Sequence, residues 1–230
     1  MSKQMARRQF LAGAAALTLL AGCEQHPGKA AMRLMRGWNE RFEEYLFSPS
    51  RLAPELPASA QTPEKDFQCF FKSPVMPVAS SGWCLKIGGL VRHPTILTLD
   101  QIFKMPVTDM RVRHYCINGW TAVASWRGVR VSEIARLAGL DPQAKYVEFH
   151  SFDAGYWSSW DLASVMHPQT LLAYGMNGHP LGADHGAPLR LYSAIKLGYK
   201  SVKYLTEIIF MANKTGGTCE DAGEDWFAGV

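Results

Sequence analysis

Apolar and polar residues alternate along several short segments of this chain, and such alternation is typical of β-strands. Residues 110–116, MRVRHYC, give the clearest case. One face of this predicted strand would carry Met110, Val112, His114 and Cys116, and the other would carry Arg111, Arg113 and Tyr115. Further strands are predicted at CLKIGGL, YVEFHS, TLLAYGM, PLRLYSA and VKYLTEIIF. Residues 67–230 are therefore predicted to form one α+β domain with more strand than helix.

Two short helices are predicted within this domain. Thr98 and Gln101 have the spacing of a capping box, so a helix should begin there. Apolar residues between Val131 and Ala138 recur at helical spacing, and this second helix should end at Gly139.

The segment before the domain has a different character. Apolar residues in 29–47 recur every three or four positions with charges between them, which predicts a helix. Residues 48–66 are rich in Pro, Ser and Ala and indicate a linker or surface loop. Residues 24–66 are therefore interpreted as an N-terminal helical arm and linker.

The N-terminus has the features of an export signal. Arg7 and Arg8 precede Phe10 and an apolar run over residues 11–22. This run is shorter than the ~20 residues that cross a bilayer, so it fits a signal peptide. The paired arginines resemble a twin-arginine signal, which predicts passage of the folded protein through the twin-arginine export machinery to the periplasm or cell exterior. The alternative is a buried N-terminal helix, but the run is apolar on all sides rather than amphipathic.

Leu20-Ala21-Gly22-Cys23 resembles a lipobox. It predicts a lipid on Cys23, which would then be the first residue of the mature chain and its only attachment to the membrane. Cleavage by the ordinary signal peptidase, without a lipid, is the alternative. Residues 1–23 are thus assigned to a twin-arginine signal with a candidate lipobox.

Composition places the chain among ordinary globular proteins. Of 230 residues, 47% are hydrophobic and 19% are charged. The net charge is +4, and Lys3, Arg7 and Arg8 carry three of these charges. A mature chain near neutrality gives no argument for binding nucleic acid.

The five cysteines are the first candidates for chemistry. The sequence has no Cys-x-x-Cys pair and no Cys/His spacing of a zinc site. Cys69 and Cys84 are a candidate disulfide pair, which would leave Cys219 alone. Cys116 admits four roles, as an inert buried thiol, a disulfide partner, a nucleophile or a metal ligand. Local sequence alone favours the inert thiol.

Residues 185–203 form a second candidate constellation. Small residues in this stretch separate four basic ones, Arg190, Lys196, Lys200 and Lys203. Cationic side chains together with accessible backbone amides are suited to binding a phosphate dianion. The alternative is a solvated strand edge whose lysines oppose aggregation.

The order and spacing of several segments resemble the molybdopterin-binding domain of the sulfite oxidase family. These segments are Cys116, WRG at 126–128, KYVEF, MHPQTLLAYGMNGHPL and HGAPLRLYSAIKLGYKSVKYLTEI. Within the family, the sequence is most similar to the exported branch that includes the catalytic subunit of periplasmic protein-methionine-sulfoxide reductase. The resemblance implies mixed sheets with short helices and one molybdenum bound to a single pyranopterin, as molybdopterin. The chain is too short for the C-terminal dimerisation domain of sulfite oxidases.

The resemblance also implies the site residues and the reaction. Cys116 would be the catalytic residue and the one protein ligand of molybdenum. The residues that would hold the pterin and its phosphate are Ser151, His185, Arg190, Ser201, Val202 and Lys203. The implied reaction is a two-electron transfer of an oxygen atom, such as reduction of methionine sulfoxide. Because no haem-attachment motif is present, a haem-containing membrane subunit or a soluble cytochrome would exchange the electrons.

Departures from the family pattern keep other functions open. Ser151 and His185 stand where the reductase branch has Thr and Asn, while residues 117–120, INGW, replace the arginines that follow the ligand cysteine in sulfite oxidases. One alternative is oxidation of a small anion, and another is a cofactor-free lipoprotein that uses the fold as a binding module. A thiol hydrolase with Cys116 as nucleophile is more distant. The aromatic residues expected either at a substrate entrance or in the core are Trp120, Tyr156, Trp157 and Trp160.

Overall fold

The computed structural model describes residues 27–230, and two compact units divide the chain between Tyr45 and Leu46. The predicted twin-arginine signal and lipobox lie outside the described residues. Helix α1 (Pro27–Leu46) provides the described part of the first unit up to Tyr45 and confirms the helix predicted there. Among the described residues, no helix combines the length and apolar character that crossing a membrane requires.

The second unit is built from ten strands and four short α-helices. In chain order the strands are β1 (Leu85–Gly89), β2 (Thr95–Leu97), β3 (Val107–Tyr115), β4 (Thr121–Arg130), β5 (Tyr146–Ser151), β6 (Trp157–Asp161), β7 (Thr170–Met176), β8 (His179–Pro180), β9 (Arg190–Ser193) and β10 (Leu205–Met211). The α-helices are α2 (Leu99–Phe103), α3 (Val131–Ala138), α4 (Leu162–Val165) and α5 (Thr218–Asp221). Single 3-10 turns occupy Ala58–Ala60, Glu64–Asp66 and Gly198–Lys200. Strand exceeds helix in this unit, as the sequence predicts.

The strands form two sheets. The first has the order β2-β1-β10-β5-β6, in which β1 and β10 run parallel and the other neighbours antiparallel. The second has the order β3-β4-β7-β8, with β9 also paired to β7, and all its pairs are antiparallel. This arrangement is the mixed α+β architecture that the sequence predicts.

Two hydrophobic clusters hold the sheets in place. The larger one includes Phe149, Trp160 and Phe210 on the inner side of the first sheet. The smaller one surrounds Trp126 and Tyr192 on the second sheet. Burial of such large side chains contributes the main favourable free energy of folding, at about 25 cal/mol per Å² of apolar surface.

Local sequence signals for helix ends are confirmed. The Thr98 hydroxyl accepts a hydrogen bond from the Gln101 amide at 3.4 Å, and the Gln101 side chain accepts one from the Thr98 amide at 2.8 Å. Helix α3 ends at Gly139, whose φ of 67° lies in the left-handed region that favours glycine. The alternation predicted for 110–116 is also confirmed, since Met110, Val112 and His114 are buried.

Candidate functional site

A cavity of about 390 Å³ collects side chains from separated stretches between Phe67 and Cys219. The sequence-predicted site residues on its wall are Cys116, Ser151, His185, Arg190, Ser201 and Lys203. Val202 lies between two of these, but its side chain is fully buried in the larger hydrophobic cluster and does not line the cavity.

Cys116 directly follows strand β3 and begins a tight turn. Its amide donates to the Trp120 carbonyl at 3.0 Å, and its carbonyl accepts from the Gly119 amide at 3.0 Å. Gly119 has a φ of 84°, which a glycine adopts without strain. The turn therefore fixes the backbone of Cys116 while its side chain stays only partly buried on the cavity wall.

Arg111 and Arg113 on strand β3 bond to side chains of strand β4 rather than to the Cys116 thiol. Arg111 donates to the hydroxyl of Ser125 at 2.8 Å, and Arg113 donates to that of Thr121 at 3.4 Å. Both bonds cross to strand β4 from the face opposite His114, so these guanidinium groups support the strand pair.

Arg190 opens strand β9 with its side chain buried at the cavity. Its guanidinium donates to the carbonyl oxygens of His185 at 2.9 Å and Ser201 at 3.2 Å. Burial lowers its pKa to about 10, so it remains charged at neutral pH. Among the described residues it forms no ion pair with a carboxylate, which leaves a buried positive charge without a counter-charge.

Lys203 places a second cation on the same wall. Its ammonium group donates to the Asp184 carbonyl at 2.9 Å. Burial, followed by the charge of Arg190, lowers its pKa to about 8. An anion bound near both side chains would favour their charged forms.

Two buried polar groups on the wall have no hydrogen-bond partner within the described part of the chain. They are the hydroxyl of Ser201 and the indole N–H of Trp120. An unsatisfied buried polar atom costs ~1–3 kcal/mol, so such atoms are rare unless a ligand completes them.

Asp153, which lines the cavity, binds the loop that contains Lys72 and Ser73. Its carboxylate accepts hydrogen bonds from the amides of Lys72 and Ser73, and also from the Ser73 hydroxyl. The Asp153 amide in turn donates to the hydroxyl of Ser151 at 2.9 Å. Asp153 therefore ties the loop that carries Phe71 and Lys72 to the end of strand β5.

His185 sits against the thiol of Cys69, with 3.4 Å between Sγ and Nδ1. Burial lowers the pKa of His185, while burial and the Asp184 carboxylate raise the pKa of Cys69. The imidazole and the thiol are therefore both favoured in their neutral forms.

The candidate Cys69–Cys84 disulfide is not formed, because all four cysteines of the described residues are free thiols. Cys69 lines this cavity, whereas Cys84 lines a different one beside Trp83.

Two of the four basic residues in 185–203 have another role. Lys196 is buried and donates to the Phe227 carbonyl at 2.7 Å. Lys200 is also buried, donates to the Ser159 carbonyl at 2.8 Å and pairs with Glu220. Neither of them lines the cavity. The basic run therefore divides into two residues at the cavity and two that fasten the C-terminal segment.

The four aromatic candidates also divide. Trp120 and Tyr156 line the cavity. Trp160 is a core residue whose indole N–H donates to the Lys200 carbonyl at 3.2 Å, and Trp157 stacks on His150.

Tyr156 contacts further cavity residues, and two residues of the wall, Tyr199 and His114, were not predicted as site residues. The hydroxyl of Tyr156 donates to the Tyr199 carbonyl at 2.6 Å and lies 3.3 Å from the sulfur of Cys219. His114, whose pKa is lowered to about 3 mainly by burial, also lines the wall. The alternation of strand β3 places His114 on its inner face, which is the only hint the sequence offers.

Comparison with known proteins provides a family and a fold. The sequence pattern of the oxidoreductase molybdopterin binding domain matches residues 72–219. A putative protein-methionine-sulfoxide reductase subunit, YedZ1 of Azospira oryzae, is 36% identical over 97% of this chain and 88% of its own length. The protein-methionine-sulfoxide reductase catalytic subunit MsrP of Gluconobacter oxydans is 30% identical over 89% of this chain and 69% of its own length.

Other relatives share only part of their length with this chain. MsrP of Xanthomonas axonopodis pv. citri is 36% identical over 57% of this chain, and the match covers 45% of that relative. Among solved structures, the sulfane dehydrogenase SoxCD of Paracoccus pantotrophus aligns with a TM-score of 0.57 and 22% identity, over 62% of this chain and 40% of that chain. At this identity the structural likeness supports the shared fold alone.

Proposed function

This chain belongs to the oxidoreductase molybdopterin-binding domain family, and from that membership we propose that it reduces a sulfoxide, such as methionine sulfoxide, by two-electron oxygen-atom transfer. It is a molybdopterin-dependent oxidoreductase, and its cofactor is molybdenum-molybdopterin. The names of its relatives suggest a sulfoxide as the substrate class. The residues that line the cavity support the cavity as the place where the cofactor binds and the reaction occurs.

The observation that carries the proposal is the pair of cations Arg190 and Lys203 beside the unsatisfied hydroxyl of Ser201. A buried positive charge without a counter-charge is costly, and a phosphate dianion would compensate both cations through charge-assisted hydrogen bonds. The donor set thus fits the phosphate end of a molybdopterin. In the same cavity, Cys116 offers the soft anionic sulfur that a high-valent metal centre accepts.

The proposed roles follow from these contacts. Cys116 would hold the metal, with Arg190, Ser201 and Lys203 holding the phosphate. Ser151 and His185 would donate hydrogen bonds to the pterin, and the backbone at Val202 would keep its two neighbours directed at the cavity. Bound molybdopterin supplies the two-electron redox chemistry, while the protein supplies orientation and exclusion of water.

The exposed part of the cavity wall offers apolar contacts for an uncharged substrate. Phe70 and Ile117 line it with 57% and 43% of their surfaces exposed, and Phe71 lies beside them. Apolar side chains of this kind favour the methyl and methylene groups that flank a sulfoxide sulfur. Residues 117–120 provide no arginine for an anion.

We place the enzyme in the periplasm, exported by its twin-arginine signal and held at the membrane by a lipid on Cys23. A haem-containing membrane subunit would deliver the electrons, which fits the naming of the relatives above as reductase subunits.

The test is metal analysis of the protein exported by its own signal, followed by parallel assays with methionine sulfoxide and sulfite. We expect about one molybdenum per chain, and reduction of the sulfoxide with a reduced dye as electron donor. Turnover of sulfite in place of the sulfoxide would indicate the anion-oxidising alternative. A folded exported chain without molybdenum or pterin would contradict the proposed function and favour a binding module.

A further inference from the structure

Helix α1 has an apolar face that is exposed. The side chains that form this face are Leu34, Met35, Trp38, Phe42, Tyr45 and Leu46. At 3.6 residues per turn they fall within an arc of about 120° of the helix circumference. Trp38 is 66% exposed and Tyr45 is 84% exposed. A continuous apolar stripe of this size indicates a surface that something else covers.

The charges of α1 are unevenly distributed along its length. Its first half contains the basic residues Lys29, Arg33 and Arg36 and no acidic residue before Glu40. The second half contains three glutamates and a single arginine. The end of the helix nearest Cys23 is therefore positive, which matches the negative charge of phospholipid headgroups.

The position of α1 in the chain adds a second argument. Three residues separate Cys23 from Pro27, a reach of about 14 Å for an extended backbone. If Cys23 carries a lipid, the basic half of α1 starts within that distance of the bilayer. The helix does not have the apolar character to span the membrane, and Trp and Tyr are the residues that favour the membrane–water interface.

We propose that α1 is an interfacial helix that lies on an anionic phospholipid surface with its Trp38 face inserted between headgroups. The proposal uses the export and anchoring proposed above but not the identity of the substrate. Binding by the helix would add to the attachment through Cys23 and would fix the orientation of the N-terminal arm at the surface.

A matched pair of variants separates insertion from charge. Trp38→Glu places a carboxylate on the apolar face. Gly37→Glu makes the same change of charge one residue earlier, among the charged side chains, where a Cβ would meet nothing within 4 Å. Glutamate is a good helix former, so both variants should keep α1 helical. Phe42→Glu repeats the test at a second position of the apolar face.

The experiment uses the exported mature chain without its lipid. Cys23→Ala removes the thiol that would carry the lipid and leaves small residues on both sides of Gly22, a pattern that ordinary signal peptidase cleaves. Mass spectrometry confirms the new N-terminus. Flotation is then measured with protein-free vesicles of phosphatidylethanolamine and phosphatidylglycerol, and with vesicles of phosphatidylcholine alone.

We expect the Cys23→Ala chain to float with the anionic vesicles and to bind less as salt is raised. Trp38→Glu and Phe42→Glu should lower the partition coefficient about tenfold or more, whereas Gly37→Glu should stay within about threefold of the parent. The proposal is wrong if the parent does not float with protein-free vesicles, as when a membrane protein or a second copy covers the face. Equal flotation of Trp38→Glu and Gly37→Glu would also overturn it.

Enzyme assays distinguish failure of this proposal from failure of the proposed function. All of the variants should reduce the sulfoxide in solution at the rate of the parent, because α1 carries no residue of the cavity. Loss of flotation with full activity supports the interfacial helix. Absence of molybdenum and activity from every variant would instead contradict the proposed function, and flotation would still report on α1.

Discussion

Arg190 stacks its guanidinium on the indole of Trp126, with 5.0 Å between Cζ and the ring centroid. The same indole stacks on Tyr192, with the ring centroids 3.9 Å apart. Together with the three carbonyl acceptors of Arg190, at His185, Leu191 and Ser201, these rings hold the guanidinium in one orientation. Binding an anion therefore costs little conformational entropy, because the Arg190 side chain is already ordered. This favours tight retention of a phosphate.

Ser201→Ala should have opposite effects on folding and on cofactor retention. The hydroxyl has no partner in the cofactor-free chain, so its removal should leave the free energy of unfolding unchanged or raise it by up to ~1 kcal/mol. Release of molybdopterin should become about tenfold easier, because one hydrogen bond to a phosphate is lost. Chemical unfolding of the cofactor-free chain and a pterin-release assay measure the two effects.

The control for this variant is Ser193→Ala, since the Ser193 hydroxyl lies 2.9 Å from the hydroxyl of Thr170 in the core. Its removal should cost ~1–2 kcal/mol of stability without a direct effect on the pterin. Equal destabilisation of the cofactor-free chain by the two alanines would contradict the role assigned to Ser201.

Binding of inorganic phosphate to the cofactor-free chain should weaken above pH 8. The lowered pKa of Lys203, about 8, means that the free site loses its proton above that pH, while a bound dianion requires the ammonium form. By linkage, the affinity should then fall by up to about tenfold per pH unit. Isothermal titration calorimetry at several pH values measures the slope. Lys203→Arg should remove this dependence, because arginine stays charged throughout the range.

Lys200→Met should destabilise the protein strongly although Lys200 touches no ligand. The ammonium group is fully buried and paired with Glu220, so its loss leaves a buried carboxylate without a counter-charge, held only by the Ser158 hydroxyl, at a cost of ~3–5 kcal/mol. The double variant Lys200→Met, Glu220→Gln should recover part of this loss. Urea unfolding measures both, and simple additivity of the two single changes would show that the pair is not coupled.

Cys116→Ser should leave a folded protein with little molybdenum-dependent activity, reduced by about a hundredfold or more, because a hydroxyl is a poor substitute for a thiolate ligand. Cys84→Ser is the matched control, since Cys84 is also a partly buried free thiol but lines a different cavity. Metal analysis and sulfoxide turnover distinguish the two. Similar losses in both variants would indicate general damage rather than loss of a ligand.

Local patterns in the sequence predicted individual elements well. Alternation predicted which residues lie on the inner face of strand β3, and the capping box predicted where α2 begins. Both features depend only on residues that are close together in sequence. Strand β4 was not predicted, because Thr121–Arg130 is buried on both faces over much of its length and its pattern shows no clean alternation.

The cavity was predicted where the family resemblance reached it and at the aromatic candidates Trp120 and Tyr156. Arg190 and Lys200 looked equivalent in a basic run, yet a single 3-10 turn over Gly198–Lys200 places Lys200 beside Glu220 and away from the cavity. Asp153 and Tyr156 line the cavity together with residues more than thirty positions away in sequence, and composition does not reveal which distant segments meet.

The parallel pairing of β1 with β10 sets a limit on when the protein can mature. Strand β1 (Leu85–Gly89) must wait for β10 (Leu205–Met211), and Arg190, Ser201 and Lys203 leave the ribosome only shortly before that partner. A nascent chain that stops before these segments therefore has neither a completed first sheet nor the residues that would hold the phosphate of a cofactor. Pairing between such distant segments is also slow. Cofactor loading is thus a step that waits until β10 has been synthesised and paired with β1.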